Sequence, residues 1–368
     1  MTKALTPPTG WNSWNKFLDK NNMANWSATT EKALLAQAKA LVDSGLAAAG
    51  YDTVVLDDGY QAFRRDHRGR IQAHPARFRN GIEYLSDEIH KLGLKFGIYL
   101  VPGSLTCGQQ YMDYHAENIG SLNHEEIDAQ TLADWKVDFL KYDWCRAHVN
   151  DGLIAEPTFK KMADALEKYA PNIIYSISEY GLFQSHLWAP QFANMWRTTD
   201  DLLAEWGSLK KTIELQIGLE KYSSPGHWND PDMLQIGNGS LTDIENRTHM
   251  IIWSILNAPL FAGNDLECMA DETQKILTHN GLIAINQDWG GQQGRLVYRE
   301  AGIQVWHKPN SDSTHAFAIM NESDSLQKYS INKIEHEAKS WVDVWSDSSF
   351  TDSYLELEPH GAIMLIAQ

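Results

Sequence analysis

Eight times between Gly10 and Gln287 a short β-like run is followed by a stretch with helical spacing, and no other feature of the chain limits its fold as much. The runs are GWNSW at 10–14, TVVLDDG at 53–59, KFGIYLVPG at 95–103 and FLKYDWC at 139–145. They continue with NIIYSISEYG at 172–181, MWRTTDD at 195–201, GHWND at 226–230 and LFAGNDL at 260–266. Segments such as 30–50 and 159–170 lie between them and repeat apolar residues every three or four positions. Alternating strands and helices build parallel βαβ units, and eight such units close into a (β/α)₈ TIM barrel. An open doubly wound sheet would place a glycine fingerprint after its first strand. GWNSWNKF carries none. A barrel uses roughly 250 residues, fewer than the 368 of this chain.

The texture changes after residue 288. RLVYREAGIQVWHK, THAFAIMNES, QKYSINKI, SWVDVWS and HGAIMLIAQ alternate apolar and polar residues and are separated by Asn, Ser, Asp and Gly. This pattern predicts a C-terminal antiparallel β-sandwich. The expected domains are therefore 1–288 and 289–368, joined at GQQG (291–294).

The net charge is −17, from 48 acidic and 31 basic residues. Such a surface repels phosphate backbones, so a nucleic-acid partner is not expected. No run is apolar enough to span a membrane, and homo-oligomerisation is left open. Three cysteines make neither a disulfide scaffold nor a zinc pattern. MTKALTPPTGW has no apolar signal core, so the chain is expected in the cytoplasm.

Carboxylates gather at the C-terminal ends of the runs: Asp57 and Asp58, Asp143, Glu179, Asp200 and Asp201, Asp230 and Asp232, and Asp265. Barrel active sites lie at those ends. Trp14, Lys141, Tyr142, Trp196, Arg197 and Trp228 stand among them, as in a polar cup with aromatic walls. A strand-end aspartate also serves as a helix N-cap, and that reading stays open for Asp230 and Asp265 and, less so, for the Asp57–Asp58 pair. Two carboxylates flanking a glycosidic bond are what glycoside cleavage needs. A metal-dependent hydrolase and a non-catalytic sugar-binding protein are the rival readings. No compact calcium loop is present, and the lysine, arginine and tryptophans suit a neutral polyol better.

PPTGWNSWNKF (7–17), VVLDDGYQ (54–61), WKVDFLKYDWC (135–145), MWRTTDDL (195–202) and GHWNDPDMLQIGN (226–238) resemble glycoside hydrolase family 27, as do GIYLVPGSLTC (97–107), ISEYG (177–181), 246–266 and INQDWGGQQG (285–294). The resemblance runs through nearly the whole barrel in order and implies a retaining α-galactosidase acting on α-galactosides. It implies that Asp143 is the nucleophile and Asp201 the acid/base. It places Trp14, Asp57, Asp58, Lys141, Arg197 and Asp232 on the bound sugar, and it implies no cofactor and no metal. Cys107 and Cys145 match a pair that is bonded in secreted members and would remain thiols in a reducing cytoplasm.

Glu179 and Leu182 match positions that fill the space at the sugar's 2-position, which favours galactose over N-acetylgalactosamine. The Asp57–Asp58 pair resembles the positions that bind the 4- and 6-hydroxyls. That argues against β-L-arabinopyranosides, and isomaltose-releasing relatives are a further alternative. Three departures stand out: Gly59-Tyr60 replaces the usual Cys-Trp, Asp200 replaces a glycine, and ISEYG replaces CEWG.

Overall fold

The computed structural model describes residues 3–18, 23–336, 338, 340–350 and 352–368. They form two compact units. The first holds Thr9–Asp200 and Asp265–Cys268; the second holds 3–8, Asp201–Asn264 and Met269–Gln368.

All eight expected strands are present, each shorter than its sequence run: β1 (Thr9–Asn12), β2 (Thr53–Leu56), β3 (Lys95–Leu100), β4 (Phe139–Asp143), β5 (Ile174–Ser178), β6 (Met195–Arg197), β7 (Trp228–Asp230) and β8 (Leu260–Ala262). In the first unit β1 to β6 pair in chain order, each parallel to the next, with Gly10 opposite Thr53 and Asp143 opposite Ser178. Thr53-Val-Val-Leu is buried at every position, as a parallel strand covered on both faces should be. It stops where Asp57 and Asp58 turn their carboxylates onto backbone amides.

The segment 30–50 is two helices, Glu31–Asp43 and Leu46–Ala49. Thr30 caps the first by accepting from Ala33 N at 3.2 Å, and Gly45 breaks the run with φ +84°. Only glycine takes that conformation without strain. The second predicted helix is present as Ala155–Tyr169.

In the second unit a Thr242–Glu245 capping box starts the helix Asp243–Ile255, which is buried from Met250 to Ile255. The C-terminal strands are β9 (Arg295–Glu300), β10 (Ile303–Pro309), β11 (His315–Asn321), β12 (Gln327–Ser330), β13 (Trp341–Asp343), β14 (Ser348–Phe350), β15 (Tyr354–Leu357) and β16 (Ala362–Ala367). They form an antiparallel sheet of order β14-β13-β16-β11-β10-β9 and a β12-β15 pair. Ile303, Val305, Phe317, Ile319, Tyr329, Leu355 and Leu365 fill the core of this sandwich. Strands β14 and β15 lie outside the alternating runs read from sequence: SSF and YLEL are only three and four residues long.

Candidate active site

Asp57 and Asp58 follow β2, are almost fully buried, and are held by residues of the first unit. Asp57 Oδ2 accepts from Lys141 Nζ and from Asn12 Nδ2, each at 2.7 Å, and Oδ1 accepts from Asp58 N at 2.8 Å. Asp58 Oδ1 accepts from Gly59 N and Oδ2 from Gly108 N, both at 2.7 Å. Burial pushes the Asp58 carboxyl up to about 6, against the pull of those two amides. Lys141, one pleat repeat before Asp143, also lies 5.5 Å from the centre of the Tyr99 ring.

Asp143 is the last residue of β4 and is buried. A Cys107–Cys145 disulfide lies against it, with Cys107 Sγ 3.9 Å from Asp143 Oδ2. The Tyr99 hydroxyl is 3.0 Å from Cys145 Sγ, and that of Tyr180 is 3.4 Å from Cys107 Sγ. Asp143 and the two cysteines are the one group among the described residues with metal-like spacing, and its sulfurs are spent on each other. The backbone is left-handed at Cys145 (φ +40°), Arg146 (+56°) and Tyr180 (+61°). Non-glycine residues held there store strain, and such strain gathers at functional sites.

Glu179 follows β5 and is fully buried. Its carboxylate accepts from Phe183 N at 2.5 Å and Ser185 N at 3.0 Å. Burial raises its pKa. The side chain thus holds its own loop, while Leu182 is 61% exposed. Ser178 and Tyr180, which sequence reasoning passed over, are the β5-end residues set against β4 and the disulfide. Ser178 stands opposite Asp143, and its buried Oγ has no hydrogen-bond partner among the described residues. The departure of ISEYG from CEWG was the available signal. Arg197 ends β6, with its guanidinium carbon 5.9 Å from the Tyr180 ring centre.

The aromatic walls need correction. Tyr142, Trp196 and Trp228 are fully buried and belong to the core, while Trp14 is half-buried. Asp265 is tied down by Lys16 and Gln37 at 2.5 and 2.8 Å and accepts from Glu267 N. The structural reading, left open from sequence, holds for it.

In the second unit, Asp232 adopts φ +101°. Its Oδ2 accepts from Leu202 N at 2.8 Å and Oδ1 from Met233 N at 2.7 Å, and its carbonyl accepts from Trp253 Nε1. Asp232 N donates to Asp230 Oδ1 at 2.9 Å. Asp232 therefore fixes the peptide that follows Asp201. Asp200 and Asp201 are both exposed and lie beyond β6, which ends at Arg197. The alternation of β6 therefore does not extend to either of them.

Residues 6–288 match the family described as alpha galactosidase A, and residues 300–367 match the alpha galactosidase C-terminal beta sandwich domain. This chain belongs to the α-galactosidase family. The α-galactosidase of Oryza sativa subsp. japonica is 37% identical over 94% of this chain and 80% of its own length. The crystal structure of α-galactosidase I from Mortierella vinacea covers 99% of this chain and 97% of its own, with a TM-score of 0.87 at 29% identity. A β-L-arabinopyranosidase from Geobacillus stearothermophilus has a TM-score of 0.86 over 99% of this chain and 97% of its own, but at 24% identity it shares the fold alone. The expected fold, eight parallel strands followed by an antiparallel sandwich, is the one this α-galactosidase family has. Hydrolysis of terminal α-galactosyl residues is the activity of this family member, and a retaining course fits it. Among the described residues, no helix is long and apolar enough to cross a membrane.

Proposed function

We propose that Asp143 attacks the anomeric carbon of a terminal α-galactoside while Asp201 protonates the departing oxygen. A β-linked galactosyl–Asp143 ester forms as the C1–O bond to the aglycone breaks. Asp201, now a carboxylate, takes a proton from water, which displaces Asp143 and releases α-galactose. The observation that carries this reading is the setting of Asp143, a buried carboxylate at the end of β4, beside a disulfide and two tyrosine hydroxyls. Asp57, Asp58, Lys141, Arg197, Asp232 and Trp14 bind the sugar in this reading. In this reading Glu179 and Leu182 fill the space at the sugar's 2-position and exclude a 2-acetamido group. We also propose the division at 1–288 and 289–368, which the two family matches support. Cytoplasmic residence would leave Cys107 and Cys145 as thiols, and an oxidising compartment would keep them bonded. Alkylation and mass analysis of protein taken from its source distinguishes the two.

The roles are tested by substitution. Asp143→Asn should lose turnover of every galactoside, activated or not. Asp201→Ala should lose about 10²–10⁴-fold on natural galactosides and keep the first step on nitrophenyl galactosides. Azide should then yield β-galactosyl azide. Loss of both activities in Asp201→Ala, with Asp200→Gly unaffected, would leave Asp201 without the acid role. An active Asp201→Ala with an inactive Asp200→Gly would move that role to Asp200.

A further inference from the structure

Trp26 lies across the two glycines whose amides serve Asp58. A Cβ added at Gly59 would overlap atoms Cε3 and Cζ3 of the Trp26 ring. One added at Gly108 would stand 2.9 Å from Trp26 Cη2 and 3.0 Å from Asp58 Oδ2. Gly59 also sits at φ +90°, so both backbone shape and the indole demand glycine there. This accounts for glycine where the resemblance leads one to expect cysteine.

The ring is itself held from several sides. Its Nε1 donates to Met112 O at 3.1 Å, beyond the end of the helix Cys107–Tyr111 that begins beside Gly108. It packs edge-to-face with Tyr114, 5.0 Å between ring centres. Arg77 Nη1 donates to the Trp26 carbonyl at 3.0 Å. One side chain thus keeps two separate loops, after β2 and after β3, in contact. Those loops supply the N–H groups of Gly59 and Gly108 that grip the two oxygens of Asp58. Gripped at both oxygens, the carboxylate has a fixed plane and fixed remaining lone pairs.

We infer that Trp26 is a positioning residue for substrate recognition: it clamps Gly59 and Gly108 onto Asp58 and so sets the direction in which that carboxylate accepts the sugar's hydroxyls. The inference rests on the reading of Asp58 as a sugar ligand, and its test separates the two. Kinetics of Trp26→Ala, Trp26→Phe, Asp58→Asn and the Trp26→Ala/Asp58→Asn double variant are measured on nitrophenyl α-galactoside. Trp26→Ala should raise KM by roughly tenfold or more, the scale of one misplaced hydrogen bond to a charged group, with kcat changed by less than about threefold. Trp26→Phe, which keeps the ring packing, should restore KM to within about threefold. The double variant should have a KM no higher than that of Asp58→Asn, because the tryptophan acts through the aspartate. A KM that multiplies in the double variant, or equal losses in kcat and KM for Ala and Phe alike, would show a merely structural tryptophan. If Asp58→Asn alone leaves KM unchanged, the sugar-ligand reading falls and the inference falls with it. Should Trp26→Ala not fold, Trp26→Leu takes its place in the same cycle.

Discussion

Asp58 is a carboxylate that its surroundings make reluctant to ionise. Its folded pKa of about 6 is above the unfolded value, so the native state binds the proton more tightly. The resulting stabilisation is complete below the unfolded pKa near 4 and is lost as pH rises through 6. Asp58→Asn has no such proton. The stability difference between wild type and Asp58→Asn should therefore shift in favour of wild type as pH falls from 7 to 4, by no more than ~3 kcal/mol. Urea unfolding of both proteins at the two pH values measures it, and a pH-independent difference would contradict the buried, proton-binding aspartate. At this scale the sequence discloses which carboxylates exist but not where each one points. Glu179 and Asp58 both follow a buried strand, yet Glu179 turns onto its own loop. Asp58 takes one of its amides from a loop 50 residues away.

The helix Asp243–Ile255 has an acid sensitivity of the opposite sign. His249 is fully buried within it, packed edge-on against Trp253 at 4.1 Å between ring centres. Neither of its ring nitrogens has a hydrogen-bond partner among the described residues. Burial lowers its pKa to about 3. A depressed folded pKa gives stability that is present above the unfolded value near 6.5 and is lost as pH falls toward 3. His249→Phe keeps the ring's shape and removes the titration. It should flatten the decline in melting temperature between pH 6.5 and 4, and it should be neutral or stabilising at pH 7, since no hydrogen bond is broken. A variant that melts as steeply in acid as wild type would move that sensitivity elsewhere. Helix and strand identities were legible because periodicity is a local property. The strand ends were less so: the run MWRTTDD reads as strand throughout, yet β6 stops at Arg197, before the two aspartates.

Over the whole molecule, fold class was the most legible feature, because eight repeats of one local pattern leave few topologies open. The aromatic walls were misread for a reason that also belongs to this scale. An indole suits a sugar face and a protein core equally well, and only the assembled fold shows that Trp196 and Trp228 are core. The net charge of −17 acts at this scale too, and it bears on the choice of substrate. A neutral galactoside feels no long-range force from that field, whereas an anionic one is repelled over about a Debye length, some 10 Å at 0.1 M salt. Raising ionic strength from 0.02 to 0.5 M should accordingly leave kcat/KM for a neutral nitrophenyl α-galactoside nearly unchanged, within roughly twofold. For a galactoside whose aglycone carries a carboxylate or sulfate, the same change should raise kcat/KM severalfold, chiefly through KM. An equal salt response in both substrates would mean that salt acts on the protein's own charged groups rather than on the approach of the ligand.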